Sequence, residues 1–162
     1  MRSISDTLTR IASFKAMGAT TAADAGDDRL SDLGAFGSNP GALKARVHIP
    51  SGLPRGAPLV VVLHGCTQNA AGYDAAAGWS RLADRHGFAL LFPEQSRANN
   101  PNLCFNWYEP GDAARGHGEA ASIAAMVEAM IERHGLDRSR LFVTGLSAGG
   151  AMAMIFKIIK RA

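Results

Sequence analysis

The chain has 162 residues, of which 47% are hydrophobic and 19% charged, with 18 glycines and 7 prolines. That length suits one domain, and the composition excludes a chain that is wholly disordered, coiled-coil or collagen-like. The net charge of +3 does not point to nucleic acid: Lys157, Lys160 and Arg161 supply it within the last six residues, and the rest is neutral with no basic stripe. No membrane span is expected either, because the longest uncharged stretch, residues 56–73, contains Pro58, His64, Gln68 and Asn69.

Residues 1–17 carry an amphipathic stripe of Ile4, Leu8, Ile11 and Ala12, the pattern of a short helix or a docked arm. Arg10 and Lys15 interrupt it, so it does not form the apolar core of a secretion signal. Residues 18–41 are rich in Gly, Ala, Asp, Thr and Ser and end in Ser38-Asn39-Pro40-Gly41, a linker composition. The expected division is an arm and linker over 1–41 and a globular domain over 42–162.

Residues 45–49 alternate Ala45, Val47 and Ile49 with Arg46 and His48, which predicts a half-exposed strand stopped by Pro50. Leu59-Val60-Val61-Val62-Leu63 reads as a strand covered on both faces. Residues 73–86 predict a helix with Trp79, Leu82, Ala83 and His86 on one face and Gly87 as its stop. Residues 88–92 predict a second buried strand, ended by Pro93. Residues 94–118 have no period, and loops of that length inside a compact domain are usually functional. Ile123, Met126, Val127, Met130 and Ile131 then mark a helix closed by Gly135. Leu141-Phe142-Val143-Thr144 predicts a third buried strand. A helix is expected from Ala148, striped by Ala151, Met154, Ile155, Ile158 and Ile159. Alternating strands and helices imply βαβ units: an α/β fold with a mostly parallel sheet and helices on both faces.

Gly145-Leu146-Ser147-Ala148-Gly149 is a G-x-S-x-G motif set between a buried strand and a helix, the context of a nucleophile elbow. There Ser147 is the expected nucleophile, held in a strained turn, and side chains at 145 or 149 would clash across it. The helix start behind Ser147 aims N–H groups at an oxyanion. The expected donors are the backbone N–H groups of Ala148 and of Cys66, the latter in His64-Gly65-Cys66-Thr67-Gln68 after the first buried strand. His64 is read as bonding loop backbone rather than acting as a base, and Glu119 as favouring a helix N-terminus. Trp107 and Tyr108 are candidates for an apolar substrate platform. Cys66 and Cys104 permit one intramolecular disulfide and match no zinc or redox spacing. No metal or cofactor is expected.

Five blocks together resemble the esterases of the polyhydroxybutyrate depolymerase family: Ser38-Asn39-Pro40-Gly41; Leu63-His64-Gly65-Cys66-Thr67-Gln68; Cys104-Phe105-Asn106-Trp107-Tyr108; Arg115-Gly116-His117-Gly118-Glu119; and Val143 through Gly150. The likeness runs from about Phe36 to Met154. It implies an α/β-hydrolase, here the N-terminal half of its sheet, and an extracellular serine esterase that acts through an acyl-enzyme on Ser147. Its substrate would be a polyester or an ester-decorated polymer; the related feruloyl and acetylxylan esterases share the elbow, which keeps those esters open. The resemblance also implies a disulfide between Cys66 and Cys104.

In this fold the triad runs Ser, then Asp or Glu, then His, yet none of the fifteen residues after Ser147 is acidic or histidine. The expectation is a truncated or frame-shifted esterase whose nucleophile strand is an uncovered edge open to self-association. An inactive remnant and a noncatalytic interaction module are the alternatives.

Overall fold

The computed structural model of the protein describes residues 28–161. The stripe over residues 1–17 lies outside the described residues, as do the side chains of Ile158 and Ile159. In chain order the elements are β1 (Ser31–Asp32), β2 (Lys44–His48), β3 (Leu59–Leu63), α1 (Ala70–Ala77), α2 (Trp79–His86), β4 (Ala89–Glu94), α3 (Pro110–Ala113), α4 (Gly118–His134), β5 (Leu141–Gly145) and α5 (Ala148–Arg161). The strands form one sheet in the order β1-β2-β4-β3-β5. β3 runs parallel to both β4 and β5, whereas β1 and β2 add on antiparallel beside β4.

The apolar runs of β3 and β4 are continuous because helices cover both faces of these strands. Leu59, Val61, Leu63, Ala89 and Leu91 face α4 and α5, where they meet Ile123, Met126, Val127, Met130, Met152 and Phe156. Val62, Leu90 and Phe92 point the other way, onto Ala70 of α1 and Ala83 of α2. Each large side chain buried in this way contributes about 1.5–3 kcal/mol relative to an exposed one. All five apolar positions of the α4 stripe are buried, and Gly135 closes the helix at φ +60°. Among the described residues no helix is long and apolar enough to cross a membrane.

Five expectations are corrected. The helix over residues 73–86 is two helices, broken at Gly78 (φ +75°). The Gly78 N–H ends α1 on the Asp74 carbonyl (2.7 Å), and the buried Asp74 carboxylate accepts from the Ser80 N–H (2.6 Å) in the first turn of α2. Leu82 is consequently 40% exposed rather than part of a buried face. Strand β4 does not stop before Pro93 but runs to Glu94, because its pairing with β3 ends at Leu91 and Pro93 has only β2 beside it in register.

Residues 28–41, expected to be linker, pack on the sheet from residue 28: Leu30 and Leu33 are buried, and β1 pairs with β2. The helix after Ser147 buries Met152, Ala153 and Phe156 and leaves Met154 68% exposed. The buried stripe is therefore rotated from the expected one, because the close approach of Gly149 to the end of β3 sets the helix orientation. Finally, β5 is only half-covered, with Phe142 56% exposed. Within the described residues it pairs on one side, with β3 alone.

Candidate active site

The turn between β5 and α5 is held by glycine contacts and backbone hydrogen bonds. Leu146 N–H donates to the Leu63 carbonyl (3.0 Å), fixing the turn to the end of β3, and Gly149 N–H donates back to Leu146 (2.9 Å). A Cβ on Gly145 would lie 2.4 Å from the Gly149 carbonyl, and one on Gly149 would lie 2.4 Å from the carbonyl oxygens of both Leu63 and His64. No side chain fits at either place. Between them Ser147 takes φ +53°, a left-handed conformation that non-glycine residues adopt at a cost of about 1–3 kcal/mol. The serine is exposed, and among the described residues no side chain hydrogen-bonds its hydroxyl.

The neighbouring loop follows β3. Gly65 N–H donates to Gln68 Oε1 (2.8 Å), and Thr67, at φ +63°, donates its N–H to Asn102 (2.7 Å). The N–H groups of Cys66 and Ala148 have no acceptor among the described residues. Ala148 opens α5, where the first N–H groups have no intrahelical partner. His64 is buried, and its ring is spent on backbone: Nδ1 donates to the Gly65 carbonyl (2.8 Å), and Nε2 accepts from the Gln95 N–H (3.1 Å). Burial lowers its pKa, against the opposing influence of the Gly65 carbonyl and the Glu94 charge. A neutral imidazole with both nitrogens engaged is a structural strut.

Cys66 and Cys104 are joined by a disulfide, with Cα atoms 4.2 Å apart. It ties the loop after β3 to the loop of residues 95–109. On the latter, Trp107 and Tyr108 stand exposed (43% and 56%) and pack edge to face at 5.8 Å. Phe105 is buried, 4.9 Å from the His64 ring.

Sequence reasoning missed the polar network under this loop. Gln95, buried at the end of β4, donates to the Cys104 carbonyl (3.0 Å) and to Glu119 (2.5 Å). Asn106 N–H donates to Glu119 (2.9 Å), and Asn106 Nδ2 donates to Asp112 (3.2 Å). Asn99 reaches back to the Gly41 carbonyl (2.7 Å), and Gly41 N–H donates to Ser122 on α4 (2.8 Å). Three of the five motif blocks noted in the sequence thus converge on the N-terminus of α4, and the Cys66–Cys104 disulfide ties a fourth, the loop after β3, to the loop after β4. Glu119 lies in the first turn of α4, but its carboxylate serves the loop, and Asp112 accepts from the Glu119 N–H instead (3.2 Å). Burial, reinforced by the Asp112 charge, pushes the Glu119 pKa up to about 7 despite the two hydrogen bonds it accepts. The run of Asn and Gln from 95 to 106 was the available signal. Among the described residues no group of three or more His, Cys, Asp or Glu is placed to hold a metal ion.

The family model for esterase PHB depolymerase matches residues 44–161. The chain is 54% identical over 126 residues to poly(3-hydroxyalkanoate) depolymerase C of Paucimonas lemoignei, covering 78% of this chain and 30% of that protein. It is 30% identical over 127 residues to feruloyl esterase B of Talaromyces funiculosus, covering 78% and 35%. The solved acetyl xylan esterase of Aspergillus awamori superimposes with a TM-score of 0.71 at 29% identity, covering 78% of this chain and 46% of that one. The chain spans about a third of the length of the curated relatives it matches.

Proposed function

As the chain belongs to the esterase PHB depolymerase family and has the α/β-hydrolase fold, we propose that residues 28–161 carry the nucleophile and oxyanion machinery of a serine esterase. The observation that carries this reading is Ser147 at φ +53° between two glycines that admit no side chain. In the proposed reaction Ser147 Oγ adds to an ester carbonyl, and the hydroxyl proton passes to a base. The tetrahedral oxyanion is met by the N–H groups of Cys66 and Ala148, which lack other acceptors here. Collapse expels the alcohol and leaves an acyl-Ser147, which water then cleaves. Residues 148–162 hold neither an acid nor a histidine, so the base and its orienting carboxylate are not among them.

A polyester of hydroxyalkanoic acids is the proposed substrate, supported by the identity to the Paucimonas lemoignei depolymerase. The exposed Trp107–Tyr108 pair is the proposed apolar platform for it. Feruloyl or acetylxylan esters are the second reading, supported by the other two relatives. An extracellular site of action is part of the proposal, supported by the Cys66–Cys104 disulfide. So is association between copies through β5, supported by its edge, which is unpaired among the described residues, and by the exposed Phe142. The test is stoichiometric phosphorylation by diethyl 4-nitrophenyl phosphate, read by intact mass and peptide mapping. One adduct on Ser147, absent from Ser147→Ala, is expected; an adduct elsewhere, or one that survives Ser147→Ala, would overturn the reading.

A further inference from the structure

Glu119 links two loops, the one after β3 and the one of residues 95–109. Its Oε1 accepts from Gln95 Nε2 (2.5 Å), and the Gln95 N–H reaches His64, which holds the Gly65 carbonyl one residue before Cys66. Its Oε2 accepts from the Asn106 N–H (2.9 Å), one residue before Trp107. The carboxyl group therefore sits between the loop after β3 and the loop that bears the aromatic pair. Its own backbone cannot yield, because Gly41 presses so closely on it that a Cβ there would be 2.5 Å from Glu119 Cα.

We infer that Glu119 is a positioning residue, whose carboxyl group latches the loop of residues 95–109 onto the end of β3 and so sets the spacing between Trp107 and the oxyanion loop. What the latch serves rests on the esterase reading; the latch itself does not. The titratable and charged groups around it are few. Asp112 on α3 faces it with a like charge. His64 lies beyond Gln95 and is held neutral by burial. Arg97 of the loop spends its guanidinium on the Pro101 carbonyl (2.8 Å). The 38–41 segment bears no titratable side chain.

Lifting the loop hydrates this carboxyl group and returns it to an ordinary carboxylate. With the latch closed its pKa is about 7, against 4.5 when free. The sign follows: the closed loop holds the proton, so latching is complete below pH 4.5, weakens as pH rises from there and levels off above about 7. The opening equilibrium changes by at most about 300-fold over that range, 2.5 pH units at tenfold each.

The test is amide hydrogen exchange of Asn106 and Gln95 in the full chain from pH 5 to 9, corrected for intrinsic rates, with the Met126 and Met130 amides of α4 as internal reference. Opening at Asn106 should rise with a midpoint near pH 7 while the α4 amides hold steady. Glu119→Gln should abolish the pH dependence. Asp112→Asn, which removes the like charge, should move the midpoint to lower pH, and it decides the matter if Glu119→Gln does not fold. A flat profile in the unmodified chain, an unchanged profile in Glu119→Gln, or parallel changes throughout α4 would overturn the latch. Phosphorylation of Ser147 in parallel separates the two readings. If the exchange behaves as stated and Ser147 never reacts, the esterase proposal fails and the latch stands.

Discussion

Two adjacent glycines at the elbow make opposite demands, and exchanging each for alanine measures the difference. In Gly149→Ala the new Cβ would lie 2.4 Å from the carbonyl oxygens of Leu63 and His64 and 2.7 Å from the Leu63 carbonyl carbon. That is more than 1 Å inside an ordinary contact of about 3.5–4.0 Å. Both obstacles are backbone at the end of β3, so no rotamer change relieves them. Overpacking of this kind costs about 1–3 kcal/mol or more. Pushing Leu63 away also loosens the Leu146–Leu63 hydrogen bond, worth about 1 kcal/mol. The expected loss is about 3 kcal/mol, or roughly 10 °C in Tm for a domain of this size. In Gly150→Ala the nearest atom, the Gly145 oxygen, is 3.2 Å away, and alanine gains up to about 1 kcal/mol of helix propensity. That variant is expected within about 1 kcal/mol of the parent. Urea unfolding followed by far-ultraviolet circular dichroism reads both. Equal stability of Gly149→Ala and Gly150→Ala, in either direction, would refute the packing argument.

Ser147→Val places a branched side chain at φ +53° on an exposed residue and is expected to cost about 2 kcal/mol, where exposed substitutions ordinarily cost under about 0.5 kcal/mol. Ser147→Gly should unfold no earlier than the parent while losing its phosphorylation. Replacing Cys66 and Cys104 with serine opens a loop with a sequence separation of 38, and chain entropy sets the loss at about 4 kcal/mol; unfolding with and without reductant checks it. Phe142→Lys, at an exposed position of the β5 edge, should change stability by less than about 1 kcal/mol. Sedimentation velocity over a range of concentrations should show less association than in the parent.

The elements legible in the sequence are those whose signal is local. The α4 stripe could be read because each of its apolar residues meets the same core face. The G-x-S-x-G turn could be read because its glycines answer contacts within the turn and at the adjacent strand end. Gly78 was not legible as a break, since a lone glycine in a helical pattern is tolerated and the Asp74–Ser80 hydrogen bond that favours two helices has no periodicity. The orientation of α5 was not legible either, because it depends on a contact between Gly149 and a strand some eighty residues earlier in the chain, a tertiary effect that overrides the local pattern. The expected burial of β5 was not legible for the same reason: an apolar run says that a strand can be buried, and only the sheet says what lies beside it among the described residues. The Glu119 network joins residues 41, 95, 99, 106 and 119, each an unremarkable polar residue when read alone.

The position of β3 between β4 and β5 bears on how the chain emerges during synthesis. Its most apolar strand, Leu59–Leu63, leaves the ribosome well before the strand that must cover its far side. The Leu59↔Leu141 pairing spans roughly eighty residues, which at about 5–20 residues per second is a wait of roughly 4–16 s. Once β4 (Ala89–Glu94) has emerged its pairing guards one edge of β3, and the other stays open to whatever strand arrives first. Slowing translation between codons 94 and 141 is expected to lengthen that exposure.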